Sequence, residues 1–437
     1  MIQLGRWDND DLSALGTQSF NDIWGWHDST TGKEYAILGS IDSTYFIDVS
    51  NPSNPKLCDA KAGKSKGSIW RDYKTYKNFC YAVADAGDAS LQIFDLNFLP
   101  DSVVTVYDSD SLLLRSHNIW IDKDRLYASM VSLRDGTRHP LDVFSLENPI
   151  QPKFLGTLKA PAINGKDAFK NCHDAYIRND TCYCSGESPG MFVFDLADMN
   201  KQRMLYSITE YPEQGYNHSA FVSGDGKTLV WADEILGLGL KAYDIADIKN
   251  VELKSVFRSN KGAIPHNPFM IDNTCYISYY HDGVYVFDLT NPAEPVTIAY
   301  YDTYPENGDT YNGFEGCWGI YPFLPSGNIL ASDMTNGLFV LRMDKAAYTK
   351  QTAVSKAHNI YPNPARTDVI LEGFEADEDL QIDFINPLGQ VVHRTNAMST
   401  DGKLLLLFPP TLESGYYTIL VNGTKSHLCR KLLVQKD

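Results

Sequence analysis

The sequence predicts an all-β chain: a seven-bladed β-propeller closed by its own N-terminal strand, followed by a small Ig-like β-sandwich. Three observations predict it. A short polar-aromatic signature returns along the chain with its second residue at 24, 70, 117, 173, 218, 266 and 318. Most copies carry a strand that ends in an aromatic-Asp-aliphatic motif or a close variant. The last copy lacks a recognisable fourth strand, and the first residues of the chain read like one.

The signature is Ile23-Trp24-Gly25-Trp26 in the first copy and Ile69-Trp70-Arg71-Asp72 in the second. It returns as Ser116-His117-Asn118-Ile119, Cys172-His173-Asp174-Ala175 and Asn217-His218-Ser219-Ala220. Pro265-His266-Asn267-Pro268 and Cys317-Trp318-Gly319-Ile320 complete the set. A second strand follows, as at 78–83 and 274–278. The third ends in Phe46-Ile47-Asp48-Val49, Ile93-Phe94-Asp95-Leu96, Val193-Phe194-Asp195-Leu196, Ala242-Tyr243-Asp244-Ile245 or Val286-Phe287-Asp288-Leu289. Val143-Phe144-Ser145-Leu146 departs from the motif, with Ser in place of Asp. Each Asp precedes a turn and is expected to accept backbone N–H bonds there. Asn51-Pro52, Asn148-Pro149 and Asn291-Pro292 then stop the strand, because proline cannot continue the ladder. A fourth strand such as Lys153-Phe154-Leu155-Gly156-Thr157 leads into the next copy. Four short strands in about 45–50 residues is the length of a propeller blade.

Residues 2–8 (Ile2-Gln3-Leu4-Gly5-Arg6-Trp7-Asp8) are expected to supply the outer strand of the seventh blade, which leaves no open edge between first and last blades. The propeller is assigned to residues 1–343 and a polar linker to 344–357. Residues 358–437 show alternating strands at 368–371, 380–385, 404–408 and 416–421, the pattern of a small sandwich.

Composition narrows the function classes. The net charge of −17 argues against a nucleic-acid partner, since phosphate binding needs a basic surface. No run approaches the roughly 18–20 apolar residues of a membrane-spanning helix. The N-terminus shows no charged start followed by an apolar segment, so no signal peptide is legible there. If the chain is exported, its N-terminus is expected to be truncated. Of the eight cysteines, Cys80, Cys182 and Cys275 share one repeat slot, and Cys172 and Cys317 share another. Equivalent positions on separate blades cannot pair, so most are expected to be buried small hydrophobes.

The aromatic-Asp-aliphatic strand followed by Asn-Pro resembles the LVIVD-type propeller repeat. Asn21-Asp22-Ile23-Trp24-Gly25, Ile264-Pro265-His266-Asn267-Pro268 and Tyr279-Tyr280-His281-Asp282-Gly283 extend the resemblance to bacterial choice-of-anchor B proteins. That family is defined by architecture and variable anchors, and the resemblance implies no activity. Tyr361-Pro362-Asn363-Pro364, Asn386-Pro387-Leu388-Gly389-Gln390, Ser414-Gly415-Tyr416-Tyr417 and the basic-aliphatic tail from Arg430 resemble the type A sorting domain of type IX secretion in Bacteroidota. This resemblance implies the type IX secretion machinery as a partner of residues 358–437. It also implies release of the propeller or its attachment to the outer-membrane surface.

In a propeller the first strand of each blade lines the central channel. His117, His173, His218 and His266 are therefore expected at one channel mouth, with Trp24, Trp70 and Trp318 filling the rest of the ring. Second strands run back to the same face, where Asp85, Glu187, Asp233, Glu234, His281, Asp282 and Asp333 are expected to line the funnel. Imidazoles beside carboxylates are transition-metal ligands. Repetition alone can also place histidine at a wet mouth. His139, His358, His393 and His427 fall outside the slot and are expected at the surface. Beside a purely structural spacer, two functions follow from the sequence. One is a secreted or surface-displayed module binding a glycan, protein or small ligand. The other is a metal-dependent hydrolase or oxidase using the histidines.

Overall fold

A computed structural model describes residues 1–9, 11–163, 165–307, 311, 313–343, 359–374, 376–386, 391–423 and 427–436. The chain divides into two compact units, Met1–Asp344 and Lys345–Asp437. The expected linker at 344–357 lies outside the described residues.

In the first unit, seven four-stranded antiparallel sheets follow one another around a β-propeller. Blade 1 spans residues 20–62, blade 2 71–109, blade 3 118–157, blade 4 175–208, blade 5 217–257 and blade 6 268–301. Blade 7 takes three strands from residues 317–342, and its outer strand is Ile2–Trp7 from the N-terminus. The ring closes where Cys317–Tyr321 of blade 7 lies beside Phe20–Asp28 of blade 1. Helix is confined to one 3-10 turn at Pro305–Asn307 among the described residues.

Burial explains the sequence pattern. Second strands such as Thr228–Asp233 are covered on both faces by neighbouring blades and read as continuous apolar runs. Outer strands such as Glu252–Phe257 are half exposed and carry the charges. The third-strand aspartates turn the chain as expected. Asp48, Asp95, Asp195, Asp244 and Asp288 each accept the backbone N–H two residues on, at 2.8–3.1 Å. In blade 3 the Ser145 hydroxyl takes that role towards Glu147 N–H. The aliphatic residue after each Asp is buried, and its N–H closes onto the preceding hairpin, as with Leu96 to Asn78 and Leu289 to Asn273. A register shift recurs between third and fourth strands of blades 1 to 6, bending each outer strand at the same point. Cys80, Cys172, Cys182, Cys184, Cys275 and Cys317 are all buried thiols.

The second unit is a β-sandwich. One sheet joins Asn359–Tyr361, Asp368–Glu372 and Lys403–Leu407; the other joins Val391–Met398, Asp379–Ile385, Gly415–Asn422 and His427–Val434. Val369, Leu371, Leu404 and Leu406 from the first sheet meet Leu380, Ile382, Phe384, Ile419 and Val421 from the second in one apolar core. Asn363 of the opening motif accepts the Leu433 N–H at 2.9 Å, so the start of the unit is tied to its last strand. Residues 387–390 lie outside the described residues, although the strands flanking them pair antiparallel.

Candidate metal centre

Asp22, Asp72, Asn118, Asp174, Ser219 and Asn267, one from each of blades 1 to 6, line a central cavity of about 40 Å³. A second layer of Trp24, Lys74, Trp120, Tyr176, Phe221 and Phe269 lies two residues further along each strand. This register fixes the residue that precedes each cavity position: Asn21, Arg71, His117, His173, His218 and His266, with Trp318 before Gly319 in blade 7. Two expected ring members are thereby corrected. Trp24 lies in the aromatic layer, edge-on to Trp120 at 6.1 Å and covered by the Lys74 ammonium at 4.3 Å. Trp70 is 42% exposed, and the slot it was expected to fill holds Arg71. The Arg71 guanidinium donates to the carbonyls of Ser40, Ile41 and Ser65, tying loops rather than facing the histidines.

The four histidines form one continuous arc. Ring centroids are 4.2 Å apart for His117 and His173, 4.3 Å for His173 and His218, and 4.6 Å for His218 and His266. Trp318 follows at 4.8 Å from His266. The wet mouth expected from sequence is instead closed: His173, His218 and His266 are buried, and only His117, at the end of the arc, keeps partial exposure. Ile264, Tyr280, Trp318 and Met334 pack together with Ile69 as an apolar cluster next to the arc's His266 end.

Three of the four imidazoles are anchored through Nδ1. His117 Nδ1 lies 2.8 Å from Asp85 Oδ2, His173 Nδ1 3.1 Å from Asp174 Oδ1, and His266 Nδ1 2.5 Å from the Trp318 carbonyl oxygen. In a neutral ring such a bond leaves Nε2 with the lone pair, the arrangement by which outer partners orient metal-ligating histidines. His218 differs. Its Nδ1 is buried without a hydrogen bond among the described residues, 4.0 Å from Asp174 Oδ2. Its Nε2 lies 3.6 Å from Glu234 Oε2, and His266 Nε2 lies 3.8 Å from Glu234 Oε1. Donor atoms of His117, His173, Asp174 and His218 all fall within 4.8 Å of one another, and so do those of His218, Glu234 and His266.

The electrostatics separate the ring members. Burial pushes His266 down to about 4, and holds His218 well below the ordinary imidazole value together with the charges of His173 and His266. Burial also lowers His173, helped by His117. For His117 burial works in the same direction, but the Asp85 hydrogen bond and the charge of Asp174 outweigh it and raise the group to about 9. Burial raises the Glu234 carboxyl to about 7 even though the Tyr280 hydroxyl donates to its Oε1 at 2.5 Å. Near neutral pH the arc is therefore neutral at His173, His218 and His266 and charged at its His117 end.

The expected funnel carboxylates divide. Asp85 and Glu234 touch the arc, and Glu187 stands behind it, accepting from Asn171 at 2.9 Å and Tyr216 at 3.0 Å. Asp233 is instead buried under the blade, paired with Lys241 Nζ at 2.6 Å. Asp333 folds a turn, accepting the Thr335 and Asn336 N–H groups and the Thr303 hydroxyl. His281 and Asp282 sit aside among Tyr304 and Tyr311, with the Tyr311 hydroxyl donating to Asp282 at 2.6 Å. The residue that stands beside Glu234 in their place is Tyr280, which the sequence reading passed over, as it did Asp174. His139 is not a plain surface residue, because its ring pairs with buried Asp142 at 2.9 Å. His393 is half-buried, while His358 and the side chain of His427 lie outside the described residues.

Residues 359–435 match the family described as "Secretion system C-terminal sorting domain". No curated protein matches the chain. Among solved structures, the chain is similar to one named "a putative 6-phosphogluconolactonase" from Bacteroides uniformis ATCC 8492, at 13% identity, covering 76% of this chain and 94% of that one with a TM-score of 0.51. A second protein of the same description, from Bacteroides fragilis NCTC 9343, is 14% identical, with 77% and 94% covered and a TM-score of 0.50. At these identities the likeness shows the β-propeller fold. The sorting domain implies secretion or cell-surface export.

Proposed function

We propose that the chain is exported by the type IX secretion machinery through its C-terminal domain, and that the propeller it delivers holds a transition-metal ion in the histidine arc. The observation that carries the metal reading is the clustering of donors in a buried arc, with those of His117, His173, Asp174 and His218, and those of His218, Glu234 and His266, each within 4.8 Å of one another. Donors around one tetrahedral ion of this type sit about 3.4 Å apart, given metal–nitrogen bonds of about 2.0–2.1 Å. A set already within 4.8 Å reaches that spacing by small side-chain movements. Mixed nitrogen and carboxylate donors suit Zn²⁺ or Cu²⁺ over Mg²⁺ or Ca²⁺. His173, His218 and His266 are buried, so an ion held in the arc would be screened from bulk solvent. Hydrolysis or oxidation of a substrate is the chemistry such an ion would supply, with Glu234 among its donors beside His218 and His266.

Elemental analysis of the purified full chain tests the metal reading. Stoichiometric zinc or copper is expected, and it should fall to background in a His173→Ala/His218→Ala variant that retains its β-sheet circular dichroism. Metal-free wild-type protein after exposure to both ions would sink the reading. Export is tested separately. Deleting residues 358–437 should abolish surface display in a host with type IX secretion while leaving the propeller detectable inside the cell. Unchanged display of the truncated chain would contradict the sorting role.

A further inference from the structure

The geometry points to a two-ion centre in which His218 bridges two transition-metal ions, one on each ring nitrogen. This rests on the metal reading above and deepens it. His218 is the middle member of both donor sets: one is completed by His117, His173 and Asp174, the other by Glu234 and His266. Its two nitrogens face the two sets separately, Nδ1 towards Asp174 Oδ2 at 4.0 Å and Nε2 towards Glu234 Oε2 at 3.6 Å.

The anchoring pattern fits this role. A histidine that binds one ion typically has its other nitrogen fixed by an acceptor, as Asp85 and the Trp318 carbonyl do for His117 and His266, while Asp174 lies between His173 and His218 as a donor of the first set. His218 has no such acceptor on Nδ1 among the described residues, although that atom is buried. An unanchored buried nitrogen costs stability in the metal-free protein, and a second metal bond removes the cost. Its ring is held in place by packing, between His173 at 4.3 Å and His266 at 4.6 Å.

Charge closes as well. Two dications would meet the carboxylates of Asp85, Asp174 and Glu234 and one imidazolate, four negative charges in contact with the arc. A buried site needs such neutrality. Forming the bridge replaces the remaining N–H of His218 with a metal–nitrogen bond, and that proton leaves to solvent. The ions would stand about 6 Å apart, from two bonds of about 2 Å and the width of the ring. His117, the partly exposed end of the arc, marks the side from which ions enter.

The test is titration of the metal-depleted full chain with copper(II), followed by equilibrium dialysis and electron paramagnetic resonance. Two ions per chain are expected. The resonance signal should grow over the first equivalent and then fall as the second ion couples its spin through the bridge. In His266→Gln, which leaves the other donor set intact, one ion should remain with an uncoupled signal. A single ion per wild-type chain, or two ions with additive uncoupled signals, would overturn the bridge and leave the metal reading standing. No bound copper would overturn both.

Discussion

Replacing Lys241 with methionine is expected to lower the stability of the propeller by about 3–5 kcal/mol, because it strands a carboxylate in a dry interior. Lys241 Nζ and Asp233 Oδ2 are 2.6 Å apart and both side chains are fully buried. The pair is embedded in a complete network. Tyr211 hydroxyl and Gly215 N–H donate to Asp233 Oδ1, the Trp231 indole N–H donates to Oδ2, and Lys241 also donates to the Glu213 carbonyl. Removing the ammonium leaves Asp233 ionised without a counter-charge, or forces it to take up a proton. Burial already holds Lys241 below its ordinary value despite the nearby carboxylate, so desolvation is severe at this point. Urea denaturation followed by tryptophan fluorescence measures the loss. The double variant Lys241→Met/Asp233→Asn should recover part of it, since it removes the stranded charge while keeping an acceptor for Tyr211 and Gly215. A single variant within about 0.5 kcal/mol of wild type would mean that water reaches this site.

The second large effect is a pH-dependent difference at Asp333. Burial raises this carboxyl to about 6 from an ordinary 3.8, although Thr303 and two backbone N–H groups bond to it. A group whose folded value is raised contributes stability that is fully present below the unfolded value and is lost as pH rises through the folded one. The window is therefore about pH 3.8 to 6. Roughly two pKa units correspond to about 3 kcal/mol. An Asp333→Asn variant keeps an acceptor oxygen for the turn but has no proton to lose. Its stability relative to wild type should therefore improve by about 3 kcal/mol between pH 3.5 and pH 7. Denaturation midpoints of both proteins at the two pH values give the comparison. Because it is a difference between two proteins, other titrating groups largely cancel. A gap that does not change with pH would place Asp333 in contact with solvent.

Much of the fold was legible because a propeller repeats its own solution. The same buried strand and the same Asp-capped turn recur, and a missing outer strand at one end is matched by a spare one at the other. The recurring turn even survives Ser145, whose hydroxyl serves where Asp is absent. The sandwich was less readable. Val391–Met398 is exposed or half-exposed along its length, so no apolar alternation marks it as a strand.

The site was legible in its histidines and misread in its register. Cys80, Cys182 and Cys275 share a slot, and counting back nine residues from each gives Arg71, His173 and His266. That count assigns Arg71, not Trp70, to blade 2. Counting forward five gives Asp85, Glu187 and Tyr280, which would have found the tyrosine beside Glu234. Blade 1 has a longer hairpin between its first two strands, and the count fails there, so Trp24 was misplaced. Other features had no local signal. Closure of the mouth depends on Ile69 reaching an apolar cluster from blade 7 and its neighbours. Asp233 and Glu234 are adjacent in sequence but face opposite surroundings, one paired under the blade and the other at the arc. Asp233 ends its strand and Glu234 opens the loop after it, so strand alternation alone does not say which of them faces the arc.

The central claim, that the histidine arc is a metal centre, is tested most directly by locating the ion. Crystals of the full chain grown with zinc or copper, measured at the absorption edge of that metal, should show an anomalous peak about 2.0–2.2 Å from nitrogens of the arc, with a His218 nitrogen among the ligands. Peaks confined to surface histidines or carboxylates, with the arc free of anomalous signal at saturating metal, would contradict it.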